Sequence, residues 1–177
     1  MSVPLSHDEF LRWVRTFRRS AFRLETRSGY AFAYERAEFD RFRAGNPTPP
    51  SDVEWWRAWL DRVAGCVADG KSIGRVRLVD TPLTDYQRWL VWSTPWHETA
   101  GENIRYMPRQ MADSLGLVMR DWWLLDDACV IQLTFADDGS LAERALTIEP
   151  AVVAGYMSWR DVLMRHAIPA HQIDVAA

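Results

Sequence analysis

The stretch Arg75–Trp89 is rich in side chains that can hold a polar ligand. It alternates arginine with apolar residues like a strand, breaks at Thr81-Pro82, and restarts as a helix. Arginine makes planar, paired contacts with carboxylates and phosphates, and strand-to-helix corners are common ligand sites in α/β proteins. The corner therefore suits an anionic or amide-bearing ligand, although the chain has no motif that names a reaction.

The predicted ligand-binding residues lie in this corner and in a second polar segment that follows it. They are Arg75, Arg77, Thr84, Asp85, Tyr86, Arg88, Glu102 and Arg105. In a strand Arg75 and Arg77 share one face, and Glu102 is placed to orient Arg75 or Arg105. The alternative is architectural: a solvated strand face followed by a helix that Thr84 or Asp85 caps.

Four residues are candidate acid–base groups if the protein is an enzyme: Asp85, Tyr86, His97 and Glu102. Histidine titrates near neutral pH, but the histidines lack zinc-like spacing and no serine stands in a nucleophile-elbow motif. Glycine-rich nucleotide motifs are also absent from the sequence. The adjacent pair Asp126-Asp127 favours turn capping over metal binding, because neighbouring strand residues point to opposite faces. We predict neither a metal nor a cofactor.

Local signals arrange these residues on alternating helices and strands. The predicted elements of the first half are a helix opened by the capping box Ser6–Glu9, a strand over 20–26, a strand and short helix over 30–42, and a helix opened by a second capping box, Ser51–Glu54. Those of the second half are a strand over 73–79, a helix over 84–92 broken near Pro95, a strand over 104–106, a helix over 108–115, paired strands over 121–126 and 129–135, and a helix from Pro150 to His166. The pattern predicts a single mixed α/β domain over 1–177, with a central mixed sheet flanked by helices and the Pro-rich loop 46–50 inside it.

Composition limits the classes of function. The 177 residues are 48% hydrophobic and 25% charged, as in an ordinary globular domain. A net charge of −3 supplies no overall basic field, so we expect no direct nucleic-acid binding. The chain has no signal-like start and no membrane-length apolar run, which predicts a cytoplasmic protein without a membrane partner. Cys66 and Cys129 are expected to be buried free thiols.

Ten tryptophans are an unusual content for this length. The clusters Trp55-Trp56, Trp59 and Trp122-Trp123 can stack on a flat ligand. Such residues more often fill a core or an oligomer interface. A homodimer whose face is built from exposed tryptophans is therefore one predicted assembly.

An ordered series of motifs resembles an actinobacterial family of unknown function, numbered 6879 among such domains. The motifs are Ser20–Arg27, Trp55-Trp56, Arg75–Tyr86, Ala100–Arg109 and Asp121–Asp127, and the resemblance runs from about Phe17 to the last helix. The corner region resembles, more faintly, phospholipase-D-like folds. The catalytic His-x-Lys of that superfamily is absent, because Lys71 is the only lysine and Asp69 stands two residues before it.

The resemblance implies a function in bacterial regulation, since family members often lie beside helix-turn-helix regulators. We therefore expect a non-catalytic domain that binds a small molecule or a partner protein, with a DNA-binding regulator as a possible partner. The alternative is a small cytosolic enzyme of specialised metabolism that uses the Arg75–Arg88 corner as a pocket for an anionic or amide-bearing substrate. Trp89, Trp92 and Trp96, bulkier than the resemblance leads us to expect, favour a specialised pocket.

Overall fold

The computed structural model describes residues 2–117 and 119–174, and over these residues it forms one eight-stranded mixed sheet with helices on both faces. The strands are β1 (Val3–Pro4), β2 (Ser20–Glu25), β3 (Ser72–Val79), β4 (Asn103–Pro108), β5 (Asp121–Leu125), β6 (Cys129–Phe135), β7 (Leu141–Thr147) and β8 (Ile168–Pro169). The helices are α1 (His7–Thr16), α2 (Arg36–Arg43), α3 (Glu54–Ala68), α4 (Asp85–Thr99), α5 (Arg109–Ser114) and α6 (Pro150–His166).

The sheet has a parallel part and an antiparallel part. Its strand order is β1-β7-β6-β5-β2-β3-β4-β8, with β2, β3 and β4 parallel to one another. The chain crosses from β2 to β3 through α3 and from β3 to β4 through α4. Because both crossovers step in the same direction along the sheet and such connections are right-handed, both helices lie on the same face.

The two faces of the sheet carry different cores. One face, called here the α6 face, packs Leu24, Val76 and Trp122 against Tyr156 and other residues of α6. The opposite face, called the α3 face, is covered by α1, α3 and α4. Its apolar residues form a core with α1 and α3 that includes Ala21, Val63, Ile73, Trp123 and Ile131. The centre of the α3 face is polar, and it contains the candidate site.

Most of the predicted elements are confirmed. Ser6 and Glu9 form the expected capping box at the start of α1, and Pro150 occupies the first turn of α6. The paired strands β5 and β6 meet at Asp126 and Asp127, both of which have positive φ. The mixed α/β class with a mixed central sheet is therefore correct, and Cys66 and Cys129 are free and buried as expected.

Three local predictions are wrong. Residues 30–35 form no strand, because the alternating rings of Tyr30 and Phe32 stack on each other, 5.6 Å apart, instead of facing a strand partner. Ser51 lies inside a short 3-10 turn, and α3 begins at Glu54 with Val53 as its N-cap residue, which provides no side-chain hydrogen bond. Finally, α4 continues through Pro95, because the turn that follows is anchored to the protein interior by the buried side chain of His97.

Candidate functional site

The register of the parallel strands creates a polar floor in the middle of the α3 face. Arg23 of β2 pairs with Arg75 of β3, and Glu25 pairs with Arg77. Because side chains alternate along a strand, all four project to the same face. Trp123 of β5 lies beside Arg23 on the other side of β2. Three arginines and a glutamate thus meet where a sheet normally buries apolar side chains.

Glu25 lies at the centre of this polar floor, and the three arginines around it, Arg23, Arg75 and Arg77, are called here the arginine cluster. Its Oε1 accepts from Nη1 of Arg75 at 2.6 Å, and its Oε2 accepts from Nε of Arg77 at 2.8 Å. Nε of Arg23 lies 3.0 Å from Oε1. Burial by itself raises the pKa of Glu25, but the three arginines outweigh it and lower the pKa to about 2. Glu25 is therefore ionised at neutral pH and neutralises part of the cluster.

Glu102 is a second carboxylate behind the cluster. Its Oε1 accepts from Nε of Arg75 at 2.9 Å, and its Oε2 accepts from the indole N–H of Trp59 at 3.0 Å. Burial opposes ionisation, yet the charge of Arg75 and the hydrogen bonds keep the pKa of Glu102 well below its ordinary value. Both oxygens of Glu102 accept hydrogen bonds and its side chain is not part of the cavity lining, so it positions Arg75 rather than contacting a ligand.

His97 is also fully engaged by its neighbours. Its Nε2 lies 2.9 Å from the indole nitrogen of Trp56, which can only donate, so Nε2 is unprotonated. Its Nδ1 therefore carries the proton and donates to Oε2 of Glu102 at 2.8 Å. Burial lowers the pKa of His97 despite the favourable contact with Glu102. This histidine is a neutral link between α3, α4 and Glu102.

A cavity of about 450 Å³ lies above the arginine cluster, between the sheet, the helices α1, α3 and α4, and the segment 30–35. That volume is in the range of small-molecule sites. Its aromatic lining consists of Phe10, Tyr30, Phe32, Tyr34, Trp55, Trp56, Trp59, Tyr86, Trp89 and Trp123. Trp55 and Trp56 stack with ring centres 4.9 Å apart, and Tyr34 meets Trp55 edge-on at 5.0 Å. Such walls accommodate a flat ring.

Two residues lining the cavity have hydrogen-bond donors without acceptors. The indole N–H of Trp123 is buried and has no partner among the described residues. Arg23 lies within ion-pair distance of Glu25 and Asp121, but its buried Nε makes no hydrogen bond within the described part of the chain. Buried donors are rarely left unpaired, because each one costs about 1–3 kcal/mol. Both residues line the cavity, but the two donor atoms themselves are covered, so an acceptor group bound there reaches them only after a small shift of the side chains.

Glu35 and Tyr86 form a separate polar pair in the cavity wall. The hydroxyl of Tyr86 donates to Oε2 of Glu35 at 2.7 Å. Burial is the largest cause that raises the pKa of Glu35, to about 7, and the negative charge of Glu25 adds to it. The same burial raises the pKa of Tyr86 well above its ordinary value, so Tyr86 is the donor in this pair.

Only some of the predicted site residues lie together in the structure. Arg75, Arg77, Tyr86, His97 and Glu102 come together at the cavity or directly behind it. The predicted solvated strand face is wrong, because Arg75 and Arg77 are 8% and 4% exposed.

The other predicted site residues lie elsewhere, so the expectation of one shared corner is wrong. Thr84 is the N-cap of α4, as in the architectural alternative. Asp85 is exposed and pairs with Arg88 at 3.0 Å. Arg105 lies in register with Val76, which places it on the α6 face, where it donates to the carbonyl of Ala167 at 3.3 Å.

Sequence reasoning did not single out three charged residues of the cavity lining, Arg23, Glu25 and Glu35. The strand pattern of 20–26 already places Arg23 and Glu25 on one face, and a parallel pairing with β3 would have joined them to Arg75 and Arg77. Glu35 has no comparable signal, because it lies in a segment that contacts the site only through tertiary packing.

Three further findings concern the rest of the protein. Among the residues the structure describes, no group of three His, Cys, Asp or Glu side chains is arranged to hold a metal ion. Asp126 caps the turn before β2 by accepting from the backbone N–H groups of Arg18, Arg19 and Ser20. In the described ranges no helix has the length and apolar character needed to cross a membrane.

The architecture is that of a mixed α/β protein, with one eight-stranded sheet and helices on both of its faces. Its structure is similar to that of NucT from Helicobacter pylori, with a TM-score of 0.51 over 95% of this chain and 96% of that chain, at 8% sequence identity. At this identity the likeness concerns the fold alone. The profile of the family described as "Domain of unknown function (DUF6879)" matches residues 8–173, so the chain belongs to that family. No curated protein matches the chain.

Proposed function

We propose that the protein is a non-catalytic receptor for a small, flat molecule that carries a carboxylate or phosphate group. The observation that carries this proposal is the pair of unsatisfied donors, on Arg23 and Trp123, in the lining of an aromatic cavity of about 450 Å³. An anionic oxygen of the ligand accepts from both, and the flat body of the ligand packs against the aromatic walls.

The arrangement of the other polar groups supports binding over catalysis. Both ring nitrogens of His97 are used in hydrogen bonds, and so are both oxygens of Glu102. Glu25 is held by Arg75 and Arg77 and stays ionised, so it is a poor proton acceptor. Such saturated groups fix the orientation of the arginines and leave no acid–base pair beside them.

One observation favours a second candidate, a small enzyme. Glu35 has a pKa of about 7, which suits a general acid or base at neutral pH, and it lines the same cavity. An enzyme of this kind would consume or rearrange a bound probe. NMR spectra of the probe after prolonged incubation with the protein separate the two functions, because a receptor returns the probe unchanged.

Calorimetry and thermal unfolding with 2-naphthoate and 2-naphthyl phosphate test the receptor proposal, with neutral 2-naphthalenemethanol as the matched probe. We expect at least one anionic probe to bind and raise the melting temperature, and the neutral probe to bind at least 10-fold more weakly. Arg23→Gln removes a charged donor worth about 1.5–3 kcal/mol, so affinity should fall about 10- to 100-fold.

Arg88→Gln is the control variant, because Arg88 belongs to the predicted corner but lies outside the cavity lining. We expect it to bind the anionic probes like the wild type. Equal affinity of the wild type and Arg23→Gln, or a loss confined to Arg88→Gln, would show that the cavity is not the site.

The regulatory setting is a separate part of the proposal. A regulator that binds DNA is the proposed partner, and the proposed receptor would report its ligand to that partner. Co-purification of the two proteins with and without the bound probe tests this role. Light scattering at high protein concentration tests the proposed homodimer, which a strictly monomeric mass would exclude.

A further inference from the structure

Two carboxylates line the cavity, and their surroundings differ. Glu25 lies within 4 Å of all three arginines of the cluster, at 2.6, 2.8 and 3.0 Å. Glu35 forms no ion pair with any described residue, and the only hydrogen bond to its side chain there comes from the hydroxyl of Tyr86. The cavity therefore has a floor rich in donors and a wall that carries an anionic acceptor without a cation.

We propose that Glu35 receives a cationic nitrogen of the ligand, so that the cavity takes a flat zwitterion with its anionic end at Arg23 and its basic end at Glu35. This inference rests on the receptor function proposed above and narrows its ligand class. A ligand of this kind completes both unsatisfied parts of the cavity at once, the donors of the floor and the carboxylate of the wall.

The charges around Glu35 support a bound cation. Two neutral phenols face Glu35: Tyr86 of α4 and Tyr34 of the same segment. The charges that act on Glu35 from the sheet are those of Glu25, Arg23 and Arg77. Arg23 and Arg77 lower the pKa of Glu35 but lie beyond ion-pair distance, and burial and Glu25 outweigh them. A cation supplied by the ligand would remove this penalty, because a buried carboxylate is stable when it is paired.

Aromatic rings beside Glu35 add to the fit. Tyr34 precedes Glu35 and contacts Trp55 edge-on, and both rings belong to the cavity lining. Ammonium groups are attracted to aromatic faces, with about 0.5–2 kcal/mol per contact. A carboxylate next to such rings is a suitable acceptor for an alkylammonium group.

The test compares two probes that differ only at one end. One is 6-(aminomethyl)-2-naphthoate, and the other is 6-ethyl-2-naphthoate, its uncharged isostere. Calorimetry at pH 8, where Glu35 is mostly ionised and the amine is protonated, should show the zwitterion binding at least 10-fold tighter to the wild type. Glu35→Gln should bind the zwitterion no tighter than the ethyl probe, because glutamine still accepts from Tyr86 but carries no charge.

Proton release provides an independent readout. At pH 7 the unliganded Glu35 is about half protonated, so binding of the aminomethyl probe should release about 0.5 proton. Calorimetry in two buffers of different ionisation enthalpy measures this number. The ethyl probe should release none, and Glu35→Gln should abolish the release that the aminomethyl probe causes. Glu98→Gln, an exposed substitution on α4, should behave like the wild type.

The possible results of these binding experiments bear separately on the zwitterion inference and on the receptor function. Equal affinity of the wild type for the two probes overturns the zwitterion inference and leaves the anion receptor standing. Failure of both naphthoates to bind overturns the inference, and failure of 2-naphthyl phosphate to bind as well overturns the receptor function. If Glu35→Gln loses affinity for the ethyl probe as well, the substitution has disturbed the cavity itself. The variant Glu35→Asp then provides the test, because it keeps the negative charge. A variant Glu35→Asp without preference for the zwitterion also overturns the inference.

Discussion

The indole of Trp56 donates to Nε2 of His97 at 2.9 Å and thereby occupies the lone pair that a catalytic histidine needs. The other ring nitrogen donates to Glu102, so the imidazole is held between α3 and the carboxylate that orients Arg75. His97 was a reasonable acid–base candidate from its residue type. Its surroundings make it a positioning residue that links two helices to the arginine cluster.

His97 should be neutral at pH 7, with its proton on Nδ1, and should resist further protonation as the pH is lowered. Burial lowers its pKa below the ordinary 6.5, and Trp56 blocks protonation of Nε2. Nitrogen-15 NMR of the imidazole reports the tautomer directly, and the exposed His7 supplies the spectrum of a solvent-accessible ring for comparison. Since the unfolded chain binds the proton more readily, the stability contributed by His97 is present above pH 6.5 and declines as the pH falls. A doubly protonated ring at pH 7 would contradict this arrangement.

Glu25 should make the protein sensitive to acid. Its folded pKa of about 2 lies below the ordinary 4.5, so the unfolded chain binds protons first as the pH falls. The resulting stability, on the order of 3 kcal/mol, is present above about pH 5 and is lost towards pH 2. Urea unfolding at pH 7, 5 and 3 measures this loss.

Glu25→Gln isolates the contribution of this residue. Removing one member of a buried ionic cluster costs about 3–5 kcal/mol, so the variant should be much less stable at pH 7. Its stability should then depend less on pH below 5 than that of the wild type. Identical acid profiles of the two proteins would assign the acid sensitivity to other carboxylates.

The sequence predicts the mixed fold well because its signals are local. The Ser6–Glu9 capping box, the alternation over 20–26 and the turn at Asp126-Asp127 each depend on neighbouring residues alone. Pro95 misled the prediction of α4, because the packing of His97 after the proline outweighs the missing backbone donor. Local propensity and tertiary contact disagree at that residue, and the tertiary contact prevails.

The candidate site was only half predictable, for reasons of register. Arg75 and Arg77 share a face by the strand period, but their neighbours Arg23 and Glu25 follow from the pairing of β2 with β3. The same register shows why Arg105 was misplaced: it is aligned with Val76, whose side chain packs on the α6 face. Pairing of distant strands is a global property that the local pattern does not determine.

The turn before β4 should tolerate only glycine at position 101. Gly101 has a φ of +98°, and a Cβ there would come within 2.9 Å of Cγ2 of Val67. Gly101→Ala should therefore destabilise the protein by about 1–3 kcal/mol, through backbone strain and overlap. Chemical denaturation at pH 7 provides the measurement.

Gly65→Ala is the matched control, because Gly65 lies inside α3 and, apart from the neighbouring backbone of its own helix, no heavy atom lies within 4 Å of its added Cβ. Alanine is favoured over glycine in a helix by about 0.5–1 kcal/mol, so this variant should be slightly more stable than the wild type. Equal effects of the two substitutions would mean that position 101 carries no special constraint.

Glu35→Gln should stabilise the unliganded protein at pH 8 and have little effect at pH 5. The folded pKa of Glu35, about 7, lies above the ordinary 4.5, so the folded state holds this proton more tightly than the unfolded chain. Ionisation therefore lowers stability progressively between about pH 4.5 and 7, by about 2 kcal/mol after allowance for partial exposure. Glutamine keeps the hydrogen bond from Tyr86 and avoids this penalty. Denaturant unfolding at both pH values measures the difference.

Glu98→Gln serves as the surface control for this substitution and should change stability little at either pH. A destabilised Glu35→Gln protein at pH 8 would show that ionised Glu35 already has a cation partner within the chain. At pH 8 and with saturating 6-(aminomethyl)-2-naphthoate, the wild type should be more stable than Glu35→Gln, the reverse of the order expected without ligand. The wild type then gains the ion pair with the ligand, whereas the Glu35→Gln variant offers the ammonium group only a neutral amide acceptor.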